Sequence, residues 1–128
     1  MTKEDKELLL KDLCARLPYG VIIHRNDYFD PKYPRPNETL TIGNLAQYTK
    51  DIERWNIKPY LRPMSSMTEE EGVEWRELLA TYPLCAEFNT DNRGWLIAHS
   101  DFILSHHFDI WNLIEKGFAI EAPEGMYK

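Results

Sequence analysis

Histidine and aspartate side chains gather in the last third of the chain, at His99, His106, His107 and Asp109. Neutral imidazoles and a carboxylate are good ligands for zinc or iron, and the same groups serve in acid–base catalysis. The spacing of seven residues places His99 and His106 on one face, if a single helix runs between them. The pattern matches neither HExxH nor another standard metal signature, and Asp109 can cap a following helix. We therefore interpret the group as a structural histidine pair at a helix junction, with a metal-dependent or hydrolytic enzyme as the alternative.

Cations alternate with an aromatic side chain at Lys58, Tyr60 and Arg62. On a strand these three side chains point to one face, because successive residues alternate between the faces. Such a face suits a protein partner, since Tyr and Arg are common interface anchors. Two other interpretations stay open. One is a small nucleic-acid platform with Tyr60 stacking on a base, and the other is a solvated face on which Arg62 pairs with the glutamates that follow it.

Other catalytic signatures are missing from the sequence. No serine lies in a GxSxG frame, and the glycines do not cluster into a phosphate-binding loop. The two cysteines, Cys14 and Cys85, lie far apart with no CxxC spacing, so we predict that both are reduced, buried and packed as small apolar residues. The sequence therefore favours a non-enzymatic protein, and we predict no bound metal and no cofactor.

Length and charge narrow the class of protein. The chain has 128 residues, of which 43% are hydrophobic and 28% charged, which is typical of a single globular domain over residues 1–128. The net charge of −6 argues against a protein that mainly binds a phosphate backbone. Residues 1–67 hold 11 basic and 9 acidic side chains, whereas residues 68–128 hold 4 and 12. An acidic surface that meets a basic partner is therefore a minor alternative.

The sequence predicts neither a membrane span nor a signal peptide. No apolar run approaches the roughly 20 residues that a membrane helix needs, and the charged stretch over residues 3–7 lacks the apolar core of a signal peptide. We expect a cytoplasmic protein that has no membrane contact and is unlikely to bind nucleic acid.

Hydrophobic periodicity and caps predict the helices and strands. Thr2 and Asp5 form a capping-box pattern, and the apolar spacing after them ends at Pro18 and Gly20, which predicts a helix over residues 3–17. The side chains predicted to face solvent on this helix are those of Lys6, Lys11, Asp12 and Arg16. Further helices are predicted from residue 68 to near 81–83 and over 109–116, and strands over 21–24, 39–42 and 57–61.

Prolines restrict two of the remaining segments. Pro59 has no N–H to donate, so the strand over 57–61 is predicted at a sheet edge or with a bulge. Three prolines between residues 31 and 36 predict an extended loop, with a polyproline-like ligand as the alternative. Residues 95–104 are compatible with a strand end or a short helix. The predicted fold class is α+β, with an N-terminal helix, a small, mainly antiparallel sheet and C-terminal helices packed on it.

Three stretches of the chain carry a resemblance: KDLCARLPYGV over residues 11–21, KPYLRPMSSMTEEE over 58–71, and HHFDIWNLIEKGFAIEAPEGMYK over 106–128. Together they resemble a family of small uncharacterised proteins from anaerobic gut bacteria, often found in prophages and other mobile elements. The resemblance implies an intracellular, accessory and phage-linked protein, and it brings no catalytic residues with it.

The function predicted from these observations is that of an accessory or regulatory protein that acts by protein–protein interaction. The candidate binding residues are Lys58, Tyr60, Arg62, His106, His107 and Asp109. The alternatives are an enzyme that uses the histidine group and, more weakly, a nucleic-acid-binding module.

Overall fold

The computed structural model describes residues 2–25, 37–50, 52, 56–81 and 93–127. Its helices and strands follow the order α1 (Lys3–Arg16), β1 (Ile22–Arg25), β2 (Glu38–Thr39), α2 (Ile42–Tyr48), β3 (Ile57–Leu61), α3 (Glu69–Thr81), α4 (Arg93–Ser105), α5 (Leu113–Lys116) and β4 (Ile120–Glu121). Short 3-10 helices lie at Leu17–Tyr19 and Met64–Ser66. The predicted α+β class is confirmed.

The first helix begins and ends where its sequence predicts. The Thr2 hydroxyl accepts from the Asp5 amide at 3.1 Å, and the Asp5 carboxylate accepts from the Thr2 amide at 2.9 Å, so the capping box is present. Gly20 ends the following 3-10 turn at φ +68°, a left-handed conformation that glycine adopts without strain. The prediction that Asp12 and Arg16 face solvent is wrong, because both are buried and paired with each other.

The sheet has the strand order β2-β1-β3-β4. β1 pairs antiparallel with both β2 and β3, and β4 pairs parallel with β3, so the sheet is mainly antiparallel as predicted. The predicted strand over 39–42 is mostly wrong, because only Thr39 of that segment lies in a strand. Thr41 and Asn44 instead form a capping box that starts α2 at Ile42.

The prediction that β3 lies at an edge or carries a bulge is also wrong, since β3 pairs with β1 on one side and with β4 on the other. The Leu61 carbonyl accepts from the Ala122 amide, on the side of β4. Every second residue of a strand directs its backbone polar groups to the same side, so the backbone nitrogen of Pro59 points towards β4 as well. The first residue of β3 that pairs with β4 is Tyr60, one position later. The sheet therefore loses no hydrogen bond at Pro59.

The C-terminal helices differ from the prediction in their bounds. Residues 93–105 form one regular helix, α4, where a strand end or a short helix is predicted. The last helix starts at Leu113 instead of residue 109, because Asn112 adopts a left-handed conformation at φ +57°. No helix among the described residues is long and apolar enough to cross a membrane. The proline-rich loop over 31–36 lies outside the described residues.

One hydrophobic core cluster joins α1 to the inner face of the sheet. Leu9 and Leu13 of α1 lie in this cluster with Ile23 of β1 and with Ile57 and Leu61 of β3. The burial of β3 alternates residue by residue, which leaves Lys58 and Tyr60 half-buried on the outer face.

The predicted burial of the cysteines is wrong for Cys14, whose thiol is free and exposed. Leu13, the residue before it, points into the core, and successive residues of a helix are rotated by about 100° around its axis. Cys14 is therefore turned away from the core. Cys85 lies outside the described residues.

Candidate functional site

The structure gives each residue of the predicted histidine group a different set of partners. His99 is buried against Trp75 of α3, with ring centroids 4.7 Å apart. His106 follows α4 and contacts Phe102 at 4.5 Å between centroids. His107 stacks on Tyr127 at 3.7 Å between centroids. Among the described residues, no group of three His, Cys, Asp or Glu side chains is arranged to hold a metal ion.

Arg62 forms a two-pronged ion pair with Glu71 in the first turns of α3. Its Nη1 and Nη2 donate to the two carboxylate oxygens at 2.7 and 2.6 Å. Nη2 also donates to the Ser66 carbonyl at 3.1 Å, and the guanidinium lies over the Phe108 ring at 4.5 Å. The pair holds the pKa of Glu71 at about 2, chiefly through the hydrogen bonds from Arg62. Since this guanidinium is occupied within the fold, it acts as a clamp between β3 and α3.

Glu71 also completes the start of its own helix. Its carboxylate accepts from the Thr68 amide at 2.8 Å, and the Thr68 hydroxyl accepts from the Glu71 amide at 3.2 Å. The same carboxylate lies 2.9 Å from Nδ1 of His106. The sequence points to the glutamates after Arg62 without saying which one pairs with it, and the capping box selects Glu71.

We expect Arg62→Ala to lower the free energy of unfolding by about 2 kcal/mol, because Glu71 would keep its partly buried carboxylate without its main partner. Urea unfolding followed by circular dichroism measures this change. Arg76→Ala, an exposed arginine on the same helix, is the control and should stay within about 0.5 kcal/mol of wild type. Equal losses in the two variants would contradict the clamp.

Four buried polar side chains and the half-buried Tyr127 lie near this clamp. We call them the buried polar cluster and define it as Asp12, Arg16, His107, Asp109 and Tyr127. Nε of Arg16 donates to Asp12 at 2.8 Å, and Nη2 donates to the carbonyl of Phe108 at 2.6 Å. Burial raises the pKa of Asp12, against the hydrogen bond from Arg16, and burial lowers the pKa of His107 to about 4.

Tyr127 joins the C-terminal end of the described chain to the sheet. Its hydroxyl accepts from the Ile22 amide at 3.0 Å and donates to the Tyr60 carbonyl at 2.6 Å. The β1–β3 ladder ends at the pair Ile23 and Pro59, so this hydroxyl bridges the position where the next pair would stand. Burial raises the pKa of Tyr127 to about 12, which keeps the hydroxyl protonated and able to donate.

Three buried atoms of the cluster, Oδ1 of Asp12, Nη1 of Arg16 and Nδ1 of His107, have no hydrogen-bond partner among the described residues. The side chains that carry them are buried, so a substrate could reach them only if the fold opened. The cluster therefore holds segments together. It also connects the three stretches that carry the resemblance: Arg16 belongs to the first, Tyr60 to the second, and Phe108 with Tyr127 to the third.

Asp109 is not the N-cap that the sequence predicts, since that position belongs to Asn112, but its carboxylate binds the first amides of the last helix and so fixes the turn before it. Its two carboxylate oxygens accept from the amides of Leu113 at 3.0 Å and Ile114 at 3.1 Å. Between these anchors, the side chains of Ile110 and Trp111 are 41% and 46% exposed. Sequence reasoning misses this pair, because a helix over 109–116 counts Trp111 as one of its apolar contacts.

Met64 adds a third exposed apolar side chain at the same end of the sheet. Arg62 pairs in parallel with Phe108, and the Asp109 amide donates to the Arg62 carbonyl at 2.8 Å. Met64 and Ile110 each lie two residues beyond this pair, and Met64 is 41% exposed. We define Met64, Ile110 and Trp111 as the apolar patch.

The predicted face of Lys58 and Tyr60 is present on the outer side of the sheet. Tyr60 lies edge-on to His24 of β1, with 6.3 Å between the ring centroids, and its hydroxyl donates to Asn37 at 3.3 Å. The ring is therefore held in place by neighbours of this chain, and its use as a base-stacking platform stays a prediction.

Comparison of the chain with protein-family models, curated proteins and solved structures finds no match.

Proposed function

We propose that this protein is an intracellular accessory or regulatory module that binds another protein through the apolar patch. The observation that carries the proposal is the exposure of Trp111 beside Ile110 on a turn that Asp109 holds in place. Trp is among the side chains that contribute most at protein interfaces, and adjoining exposed apolar side chains mark such sites. The resemblance to mobile-element proteins supports the accessory role.

Two of the binding residues predicted from the sequence support the apolar patch without belonging to it. Arg62 positions the segment that leads to Met64, and Asp109 positions the turn that presents Trp111. A prearranged turn loses little conformational entropy when it binds, which favours affinity. Glu69 and Glu70 are exposed at the start of α3, shortly after Met64. The partner surface that fits is therefore apolar at its centre and basic at its rim.

The test compares the double variant Ile110→Ala/Trp111→Ala with Ile42→Ala. Ile42 is 75% exposed and lies outside the patch, so it controls for the loss of any exposed apolar side chain. The partner is isolated by affinity capture on the wild-type protein, and its affinity for each variant is measured by calorimetry. We expect the double variant to bind at least tenfold more weakly, about 1.4 kcal/mol, and the control to bind as wild type does.

Thermal melts of the same variants separate binding from folding. The double variant should unfold within about 1 kcal/mol of wild type, because its side chains are partly solvated. Wild-type affinity in the double variant would refute the proposal. Sedimentation of the wild-type protein alone tests whether the partner is a second copy of this chain, in which case the double variant should be more monomeric.

A further inference from the structure

A groove lies between the start of α1 and the end of α2, away from the apolar patch. It forms a cavity of about 330 Å³ that is open to solvent and is lined, among the described residues, mainly by Lys3, Lys6, Glu7, Leu10, Lys50 and Ile52. Small-molecule sites commonly measure about 300–1,000 Å³, so the groove reaches the lower end of that range. None of these residues belongs to the apolar patch or to the buried polar cluster.

Two elements build the groove. Lys3, Lys6 and Leu10 follow one another at intervals of three and four residues, which places them on one face of α1. Lys50 and Ile52 come from the segment that follows α2. Ile52 is buried and belongs to the hydrophobic core cluster, so the floor of the groove is anchored in the fold.

The charge of the groove contrasts with that of the chain. Among the residues that the structure describes, three lysines and one glutamate line it, although the whole protein carries a net charge of −6. Lysine side chains also present long aliphatic stems, which extend the apolar surface of Leu10 and Ile52 towards the cationic rim. An apolar floor below a cationic rim is complementary to a molecule with an apolar body and one anionic end.

We propose that this groove binds a small amphipathic anion, with an acyl or aryl body on Leu10 and Ile52 and a carboxylate or phosphate between Lys3 and Lys50. The anionic end places its charge near the ammonium groups of Lys3 and Lys50, and the apolar body covers the exposed side chain of Leu10 above the buried Ile52. The proposal does not depend on the apolar patch, and a ligand here leaves that patch free.

The experiment is a titration of the full chain, labelled with ¹⁵N, by octanoate and by octyl phosphate below their micelle concentrations. We expect saturable shifts of the amides of Leu10, Lys50 and Ile52, with a dissociation constant of about millimolar for ligands of this size. Octylamine, which has the same apolar body and the opposite charge, should bind at least fivefold more weakly than octanoate.

The double variant Lys3→Gln/Lys50→Gln should bind octanoate at least fivefold more weakly than wild type. Lys11→Gln/Lys116→Gln removes two exposed lysines outside the groove and should bind as wild type does. Equal binding of octylamine and octanoate, equal affinity of the two double variants, or shifts that do not saturate would each overturn the proposal. Binding of octyl phosphate but not octanoate would support it and select a phosphate-ended ligand.

Discussion

Replacing Arg16 with methionine should lower the free energy of unfolding by about 3–5 kcal/mol. Arg16 is fully buried and donates both to the Asp12 carboxylate and to the Phe108 carbonyl. Methionine fills a similar volume, so the loss comes mainly from leaving two buried acceptors without a donor. Urea unfolding, with the midpoint and slope both fitted, measures the change.

The double variant Asp12→Leu/Arg16→Met is the matched control for charge. It removes the buried carboxylate together with the guanidinium, and replacing both members of a buried pair by apolar residues is often nearly neutral. We therefore expect the double variant to be more stable than Arg16→Met alone. If the two variants were equally unstable, the loss would come from the Phe108 carbonyl or from packing, and the ion pair would contribute little.

The buried polar cluster also shows what the sequence could not reveal. Asp12 and Arg16 stand four residues apart on α1, which in a sequence is the usual spacing of a solvent-exposed ion pair. Their burial depends on Phe108, a residue 92 positions away from Arg16. No local pattern encodes a contact at that separation, because it arises only when α1, β3 and the C-terminal segment have packed together.

Sequence patterns predict correctly those features of the fold that depend only on neighbouring residues. The capping box at Thr2 fixes the start of α1, and the predicted bounds of β3 match the structure. The sequence indicates that Asp109 binds the amides at the start of a helix, but it places that start at residue 109, whereas the left-handed Asn112 is the N-cap and the helix begins at Leu113. The sequence does contain a signal for this later helix start, which is an asparagine directly before an apolar run. Asn adopts the left-handed region more readily than most residues do. The left-handed turn at Asn112 therefore places Trp111 before the helix, where its side chain is 46% exposed.

The choice of the glutamate that pairs with Arg62 also depends on local helix geometry. Helix geometry directs the capping-box glutamate, Glu71, back towards the helix start, where Arg62 and His106 meet it. The two glutamates before it are exposed. In the sequence the three glutamates look equivalent. Only the capping box with Thr68 distinguishes Glu71, which forms the ion pair, from the two glutamates that face solvent.

The second large effect concerns pH. We expect the stability of the protein to fall as the pH is lowered from about 6.5 towards 4, by about 3 kcal/mol from His107 alone. Burial, with smaller contributions from the charges of Arg16, His106 and Arg62, holds the pKa of this imidazole at about 4 in the folded state. Between the two pKa values the unfolded chain binds more protons, so stability is fully present above pH 6.5 and is lost as the pH falls.

The measurement is the free energy of unfolding at a series of pH values, for wild type, His107→Gln and His24→Gln. His107→Gln is less stable at neutral pH, because the stack on Tyr127 is lost, but its stability should depend much less on pH between 6.5 and 4. His24→Gln removes a half-buried histidine from the outer sheet face and leaves His107 intact, so the wild-type dependence should remain.

The pH range separates this effect from those of the buried and paired acids. Glu71, with its pKa lowered to about 2, loses its stabilising ion pair below pH 4.5, which is the lower part of an acid titration. Asp12 acts in the opposite direction, because burial raises its pKa and its protonation at low pH therefore favours the folded state. Both contributions are shared by wild type and His107→Gln, so they cancel in the difference between the two slopes. Equal slopes between pH 6.5 and 4.5 would show that His107 titrates normally and is not enclosed by the cluster.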